Sequence, residues 1–157
     1  MSGTPGKDRI VVGVDGSDSS KDALRWAVRQ AELTDGVVCA VTAWEHTPLF
    51  GSVGRMGVHA ELADDLKAEA SRVLDDAVEE VVPPEQAARV RRSLAYGTPA
   101  AALVDQAKGA DLLVVGSHGR SGFTRALLGS VSQHCTQHAP CPVVVVRRGR
   151  EAPDRGT

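Results

Sequence analysis

Residues 110–133 read ADLLVVGSHGRSGFTRALLGSVSQ, and their reading decides the fold. ADLLVVGS, residues 110–117, is apolar without polar alternation, which predicts a strand covered on both faces. It runs directly into glycine, with Gly116, Gly119 and Gly122 in quick succession and Gly129 a little later. Gly129-Ser130 then opens SVSQHCTQHA, residues 130–139, which reads as a short helix. A strand covered on both sides requires helices on both faces of its sheet. The glycines require a turn in which backbone, not side chain, meets whatever lies outside the strand end.

Working outward, the rest of the chain alternates between strands and helices. RIVVGVD (9–15) is a Val/Ile-rich first strand, and SDSSKDALRWAVRQAEL (17–33) follows it. There Leu24, Ala27, Val28 and Ala31 share one helical face, with Ser17 or Ser19 as cap. GVVCAVTAWE (36–45) is the second strand. HTPLFGSVGRMG (46–57) has no period and reads as a loop or flap. VHAELADDLKAEASRVLDDAVEEVV (58–82) is a long helix stopped by Pro83-Pro84. ARVRRSLAY (88–96) suits a third strand. TPAAALVDQAKG (98–109) is a helix with Thr98 as cap, Pro99 in its first turn and Gly109 at its end. CPVVVVRR (141–148) closes the series as a fifth strand. This order predicts an α/β fold with an open, doubly wound, five-stranded parallel sheet, Rossmann-like, with helices on both faces. The expected organisation is one domain over residues 9–148 between loose tails, 1–8 and 149–157.

Composition limits the function. The 157 residues carry a formal net charge of -2, and aromatics are only 3%. Neither a basic field nor an aromatic platform for nucleic acid is present. No apolar run approaches the ~20 residues of a membrane helix, and MSGTPGKD lacks the apolar core of a secretory leader. Three unpatterned cysteines, Cys39, Cys135 and Cys141, suit a reduced, cytoplasmic setting.

In such sheets ligands bind beyond the carboxyl ends of the strands, where strand order reverses. Two segments are candidates: VGVDGS, with Gly13, Asp15, Gly16 and Ser17, and the glycine stretch after the fourth strand. If their strands are neighbours, the two loops face each other across one crevice. Ser130 begins a helix whose N-terminus carries roughly half a positive charge and unpaired N–H donors, which suit phosphate oxygens. Arg120 and Arg125 can add cationic cover, and Asp15 can accept from ribose hydroxyls or hold magnesium. The plainer reading is a chain-reversing turn with Ser130 as a simple helix cap. No G-x-x-x-x-G-K-[ST] occurs, so this is not a Walker-type NTPase. No G-x-G-x-x-G follows the first strand either.

The spacing Gly116-x2-Gly119-x9-Gly129-Ser130 resembles the ATP-binding signature of the universal stress protein family. IVVGVDGSDSSKDALRWAV, YGTPAAALVDQAKGADLLVVGSHGRSG and APCPVVVVRR extend the resemblance over nearly the whole chain. It implies strand order 3-2-1-4-5 and ATP in the crevice. It places Asp15 at the ribose, or at adenine through its backbone, and Thr42 at adenine through backbone contacts. It sets Gly116, Ser117, Gly119, Arg120, Ser121 and Gly122 along ribose and phosphates, and Gly129, Ser130, Val131 and Ser132 at the phosphate tail. Gly13 stands where many relatives carry proline or alanine, a change expected to enlarge the space near adenine. The resemblance also implies a homodimer through residues 142–148, whose strand needs cover if it lies at an edge.

The remaining candidates have plainer readings. His134 and His138 share a helix face at a spacing that zinc sites use, but no second carboxylate or cysteine pair joins them, so they read as surface histidines and no metal site is assigned. His118 can act near phosphate or serve as a turn residue, and Trp44 can wall the pocket or fill its rim. Asp64, Asp65, Asp75, Asp76, Glu79 and Glu80 read as a solvated helix face. Asp15 is the one obvious carboxylate near the site and no lysine lies in the glycine loop. The expected function is therefore an ATP-binding, nucleotide-dependent stress-response module, with a slow ATPase or self-phosphorylating enzyme as the alternative.

Overall fold

The computed structural model describes residues 7–46, 56–118 and 128–148. Residues 1–6 and 149–157 of the expected loose tails, most of the flap, and Gly119, Arg120, Ser121, Gly122 and Arg125 lie outside the described residues. Five strands, β1 (Arg9–Gly13), β2 (Val37–Trp44), β3 (Val90–Tyr96), β4 (Leu112–Gly116) and β5 (Val143–Val146), form one sheet. Their order is β3-β2-β1-β4-β5, and every pairing is parallel. The order reverses between β1 and β4, paired from Ile10↔Leu112 to Val12↔Val114.

Among the described residues four α-helices cover the sheet: α1 (Asp18–Thr34), α2 (Met56–Val81), α3 (Pro99–Gln106) and α4 (Ser130–His138). Side chains alternate across each strand. Ile10, Val12, Val38, Ala40 and Val114 therefore meet α1 and α2, while Val11, Val41, Leu113 and Val115 meet α3 and α4. Val11, Val12, Val38, Leu113 and Val114 are completely buried, each contributing about 1.5–3 kcal/mol relative to exposure. With so few aromatics, close approach replaces bulk. Ala23, Ala27 and Ala31 are buried at helical spacing along α1, so that helix lies close to the strands.

The caps follow the local sequence. Ser17 caps α1 by accepting from the Ser20 N–H at 3.1 Å, satisfying a donor that helix geometry leaves open. Asp35 ends the helix in the left-handed region at φ 52°, a conformation Asp tolerates. Thr98 caps α3 and Pro99 starts it, as expected, but α3 stops at Gln106 and Gly109 falls in the following turn at φ 75°. The third strand begins later than its composition suggests. Pro84–Arg89 form a 3₁₀ turn, so Ala88 and Arg89 precede the strand. Arg89 instead reaches the end of α1, donating to the Gly36 carbonyl at 2.8 Å. Asp8, assigned to the loose tail by sequence, is tied to the sheet through its carbonyl, which accepts from the Val37 N–H at 2.8 Å.

The two sheet edges differ. β3 exposes Arg91 and Arg92, and Arg92 pairs with Asp75 of α2 at 2.7 Å. β5 offers four half-buried valines. Among the described residues no helix is long and apolar enough to cross a membrane.

Cys135 lies fully buried on the inner face of α4, and burial pushes its thiol up to about 11. Desolvation disfavours the thiolate, the reactive form. In the folded chain Cys135 is expected to react with iodoacetamide at about pH 8 more slowly than half-buried Cys141, and to react freely after denaturation. Peptide mapping by mass spectrometry checks the order; equal labelling in the native chain would show that α4 is not packed as described.

Candidate functional site

The reversal of strand order leaves a cavity of about 720 Å³ at the carboxyl ends of β1, β2 and β4. That volume lies within the range of small-molecule sites. Gly13, Val14 and Asp15 form one wall, Gly116 and His118 another, and Leu128 to Gln133 a third. The first candidate loop and the described ends of the second border the same cavity.

The third wall is fixed by backbone bonds. The Gly129 N–H donates to the Ser117 carbonyl at 2.7 Å, and the Ser132 hydroxyl donates to the Gly129 carbonyl at 2.9 Å. The Gln133 N–H reaches the Gly129 carbonyl at 3.0 Å and starts the helical ladder. Helix geometry leaves the N–H groups of Ser130, Val131 and Ser132 without intrahelical acceptors. These donors stand at the positive end of the α4 dipole, on residues that line the cavity. Ser130 is exposed, whereas the Ser132 side chain is buried. Ser132 therefore contributes its backbone to the cavity and its hydroxyl to the turn.

Asp15 lines the cavity and also organises the start of α1. Its Oδ1 accepts from the Ser17 N–H at 2.8 Å, while its own N–H donates to the Ser20 hydroxyl at 3.2 Å. Ser117 is not among the lining residues. It is buried, donates to the Val146 carbonyl at 3.0 Å, and holds Gly129 through its own carbonyl. Its hydroxyl lies 3.0 Å from His118 Nδ1, which orients that imidazole at the cavity wall.

The two glycines that end β1 and β4 serve packing. A Cβ on Gly116 would stand 2.5 Å from the Ser19 hydroxyl and 2.7–2.8 Å from the Ser19 backbone. Gly116 is thus a place where α1 presses closely on the sheet, beyond any use in admitting a ligand. A Cβ on Gly13 would meet Leu103 Cδ1 at 2.7 Å. The room expected near adenine at Gly13 is taken by Leu103.

Thr42 is buried, and its hydroxyl donates to the Val14 carbonyl at 2.8 Å. Successive carbonyls point to opposite sides of a strand. Val41 gives its carbonyl to Val14 on the β1 side, while Trp44 gives its own to Gly97 on the β3 side. The amide groups of Thr42 therefore face β3, and those of Ala43 point over the end of β1 toward the cavity. Sequence reading missed Ala43. It also missed the wall that α2 supplies through Leu66, Glu69, Ala70 and Val73, and the Pro99–Leu103 wall from α3. A signal existed, since Leu66, Ala70 and Val73 follow helical spacing. Trp44 does line the cavity, packing edge-on against Tyr96 with centroids 4.9 Å apart and lying under the Lys67 ammonium at 5.9 Å. Among the described residues no cluster of three or more His, Cys, Asp or Glu forms a metal cage.

The sequence profile of the universal stress protein family matches residues 7–147. Universal stress protein YxiE of Bacillus subtilis is 35% identical over 149 residues, covering 89% of this chain and 99% of that protein. The match to two Mycobacterium tuberculosis universal stress proteins covers only 46% of their length. Among solved structures, universal stress protein UspA from Lactobacillus plantarum aligns with a TM-score of 0.75 at 27% identity, covering 92% of this chain and all of that one. A universal stress protein in complex with cAMP aligns at 0.64 and 28% identity, covering 90% of this chain and 97% of that one.

Because the space beside Gly116 belongs to Ser19, Gly116→Ala is expected to destabilise the fold by about 1–3 kcal/mol through overpacking. Urea denaturation checks this. An unchanged midpoint would mean that α1 does not press on the end of β4.

Proposed function

Since the chain belongs to the universal stress protein family, we propose that its crevice binds an adenine nucleotide, ATP foremost, and that the protein is a cytoplasmic, nucleotide-dependent module of the stress response. The observation that carries this reading is the start of α4, whose unpaired N–H groups face a cavity at the point where strand order reverses. Such a helix start attracts phosphate through its dipole and its donors together.

The residues suit the group in other respects. Ala43 offers amide groups to an adenine edge. Trp44, Leu66, Ala70, Val73 and Leu103 give the apolar wall that a base requires. Asp15 offers a carboxylate to ribose hydroxyls or to magnesium, whose remaining ligands would be phosphate oxygens and water. The relative in complex with cAMP supports an adenine nucleotide as the ligand class. Gly119, Arg120, Ser121 and Gly122 complete the glycine signature in the sequence and are proposed to line the ribose and phosphates.

Binding is favoured over turnover. Rapid phosphoryl transfer uses a phosphate-reading Lys or Arg together with metal-holding carboxylates and a positioned base. Among the described lining residues there is no lysine or arginine. Bound nucleotide then acts by differential affinity for two shapes or two partners of the protein, the requirement for any ligand-driven switch.

We further propose that β5 pairs antiparallel with the same strand of a second copy, covering its open edge. Native mass spectrometry of the freshly purified chain tests both ideas together. The expected mass is that of two chains carrying adenine nucleotide; a bare single chain, unable to take up millimolar ATP, would overturn them. Incubation with labelled ATP is expected to yield neither rapid phosphate release nor phosphoprotein, and turnover would move the protein to the enzyme class.

A further inference from the structure

We propose that the exposed face of α4 binds a divalent transition-metal ion, of the copper(II), nickel(II) or zinc(II) class, between the imidazoles of His134 and His138. The two residues are four apart on one helix, about one turn along its axis. Both are exposed, and their ring centroids are 4.5 Å apart with the planes inclined by 42°. Neutral imidazole is a preferred ligand for these ions, and two rings on adjacent turns form a chelate. Closing it requires only adjustment of two solvent-facing side chains.

The local field favours a cation. α4 reads SVSQHCTQH and contains no Lys or Arg to oppose one. His138 lies in the last turn, at the negative end of the helix dipole. Among the described residues no third His, Cys, Asp or Glu completes the set, so water fills the remaining positions. The site is therefore open and exchangeable, unlike a closed structural zinc centre. Selectivity follows intrinsic ligand preference, with copper(II) above nickel(II) and zinc(II). Buried Cys135 takes no part, since it faces the sheet. The chelate spans residues 134 and 138, whereas the cavity takes the other end of the same helix, so this inference stands apart from nucleotide binding.

The test uses the tag-free full chain and the metal alone. Calorimetric titration with nickel(II) is expected to show one ion per chain. His134→Ala or His138→Ala leaves a single imidazole and is expected to weaken binding on the order of a hundredfold, through loss of the second ligand's effective concentration. Electron paramagnetic resonance of the copper(II) form is expected to show two imidazole nitrogens in the wild type and fewer in either variant. Both side chains are exposed, so circular dichroism and ATP uptake should be unchanged by the substitutions. Equal nickel affinity in the wild type and the doubly substituted chain would overturn the proposal, as would the absence of saturable binding by the wild type.

Discussion

The 2.7 Å bond from the Gly129 N–H to the Ser117 carbonyl fixes the site. It joins the start of α4 to the chain just past β4, so the positive end of the helix faces the crevice. Ser132 reinforces the joint by returning its hydroxyl to the Gly129 carbonyl. Ser117 is itself anchored to β5 through the Val146 carbonyl. Three elements thus meet at one short stretch of backbone. An electropositive helix end is useful only if it is aimed, and rigid sheet edges do the aiming.

The opposite wall depends on close approach. α1 carries alanines where it meets the sheet, and Gly116 lacks the Cβ that would strike Ser19. Asp15 and Ser20, which hold the first turn of α1, also border the crevice. Packing and the walls of the crevice therefore share residues, and a substitution at the strand ends touches both. The aromatic-poor composition is consistent with this design, because small side chains allow helices to lie close to strands.

Much of the fold was legible in the sequence because uninterrupted apolar runs and helical stripes alternated cleanly. ADLLVVGS and PVVVV had to be strands, and the alanine-rich faces had to be helical. The boundaries that shifted have local causes. Pro84 begins a 3₁₀ turn that absorbs Ala88 and Arg89, and α3 ends early at Gln106 before the Gly109 turn. The site was legible where glycine and a helix start mark it, at Gly129-Ser130 and around Asp15. It was less legible where role depends on direction. Thr42 and Ala43 are adjacent in sequence, and only strand register shows whose amides face the crevice. Gly116 and Gly13 signalled open space, yet Ser19 and Leu103 occupy it. Glycine in a sequence says that something comes close without saying whether it is a ligand or the protein itself.

The unlike borders of the sheet set a limit on how copies can accumulate. The β3 border is guarded by guanidinium groups, one already committed to Asp75, and guanidinium repels its own kind. The β5 border is aliphatic, with four half-buried valines. The antiparallel pairing proposed for β5 would consume the same patch on both participants, so growth would halt at a pair. In that pairing a small, valine-rich parallel sheet would have a natural stopping point.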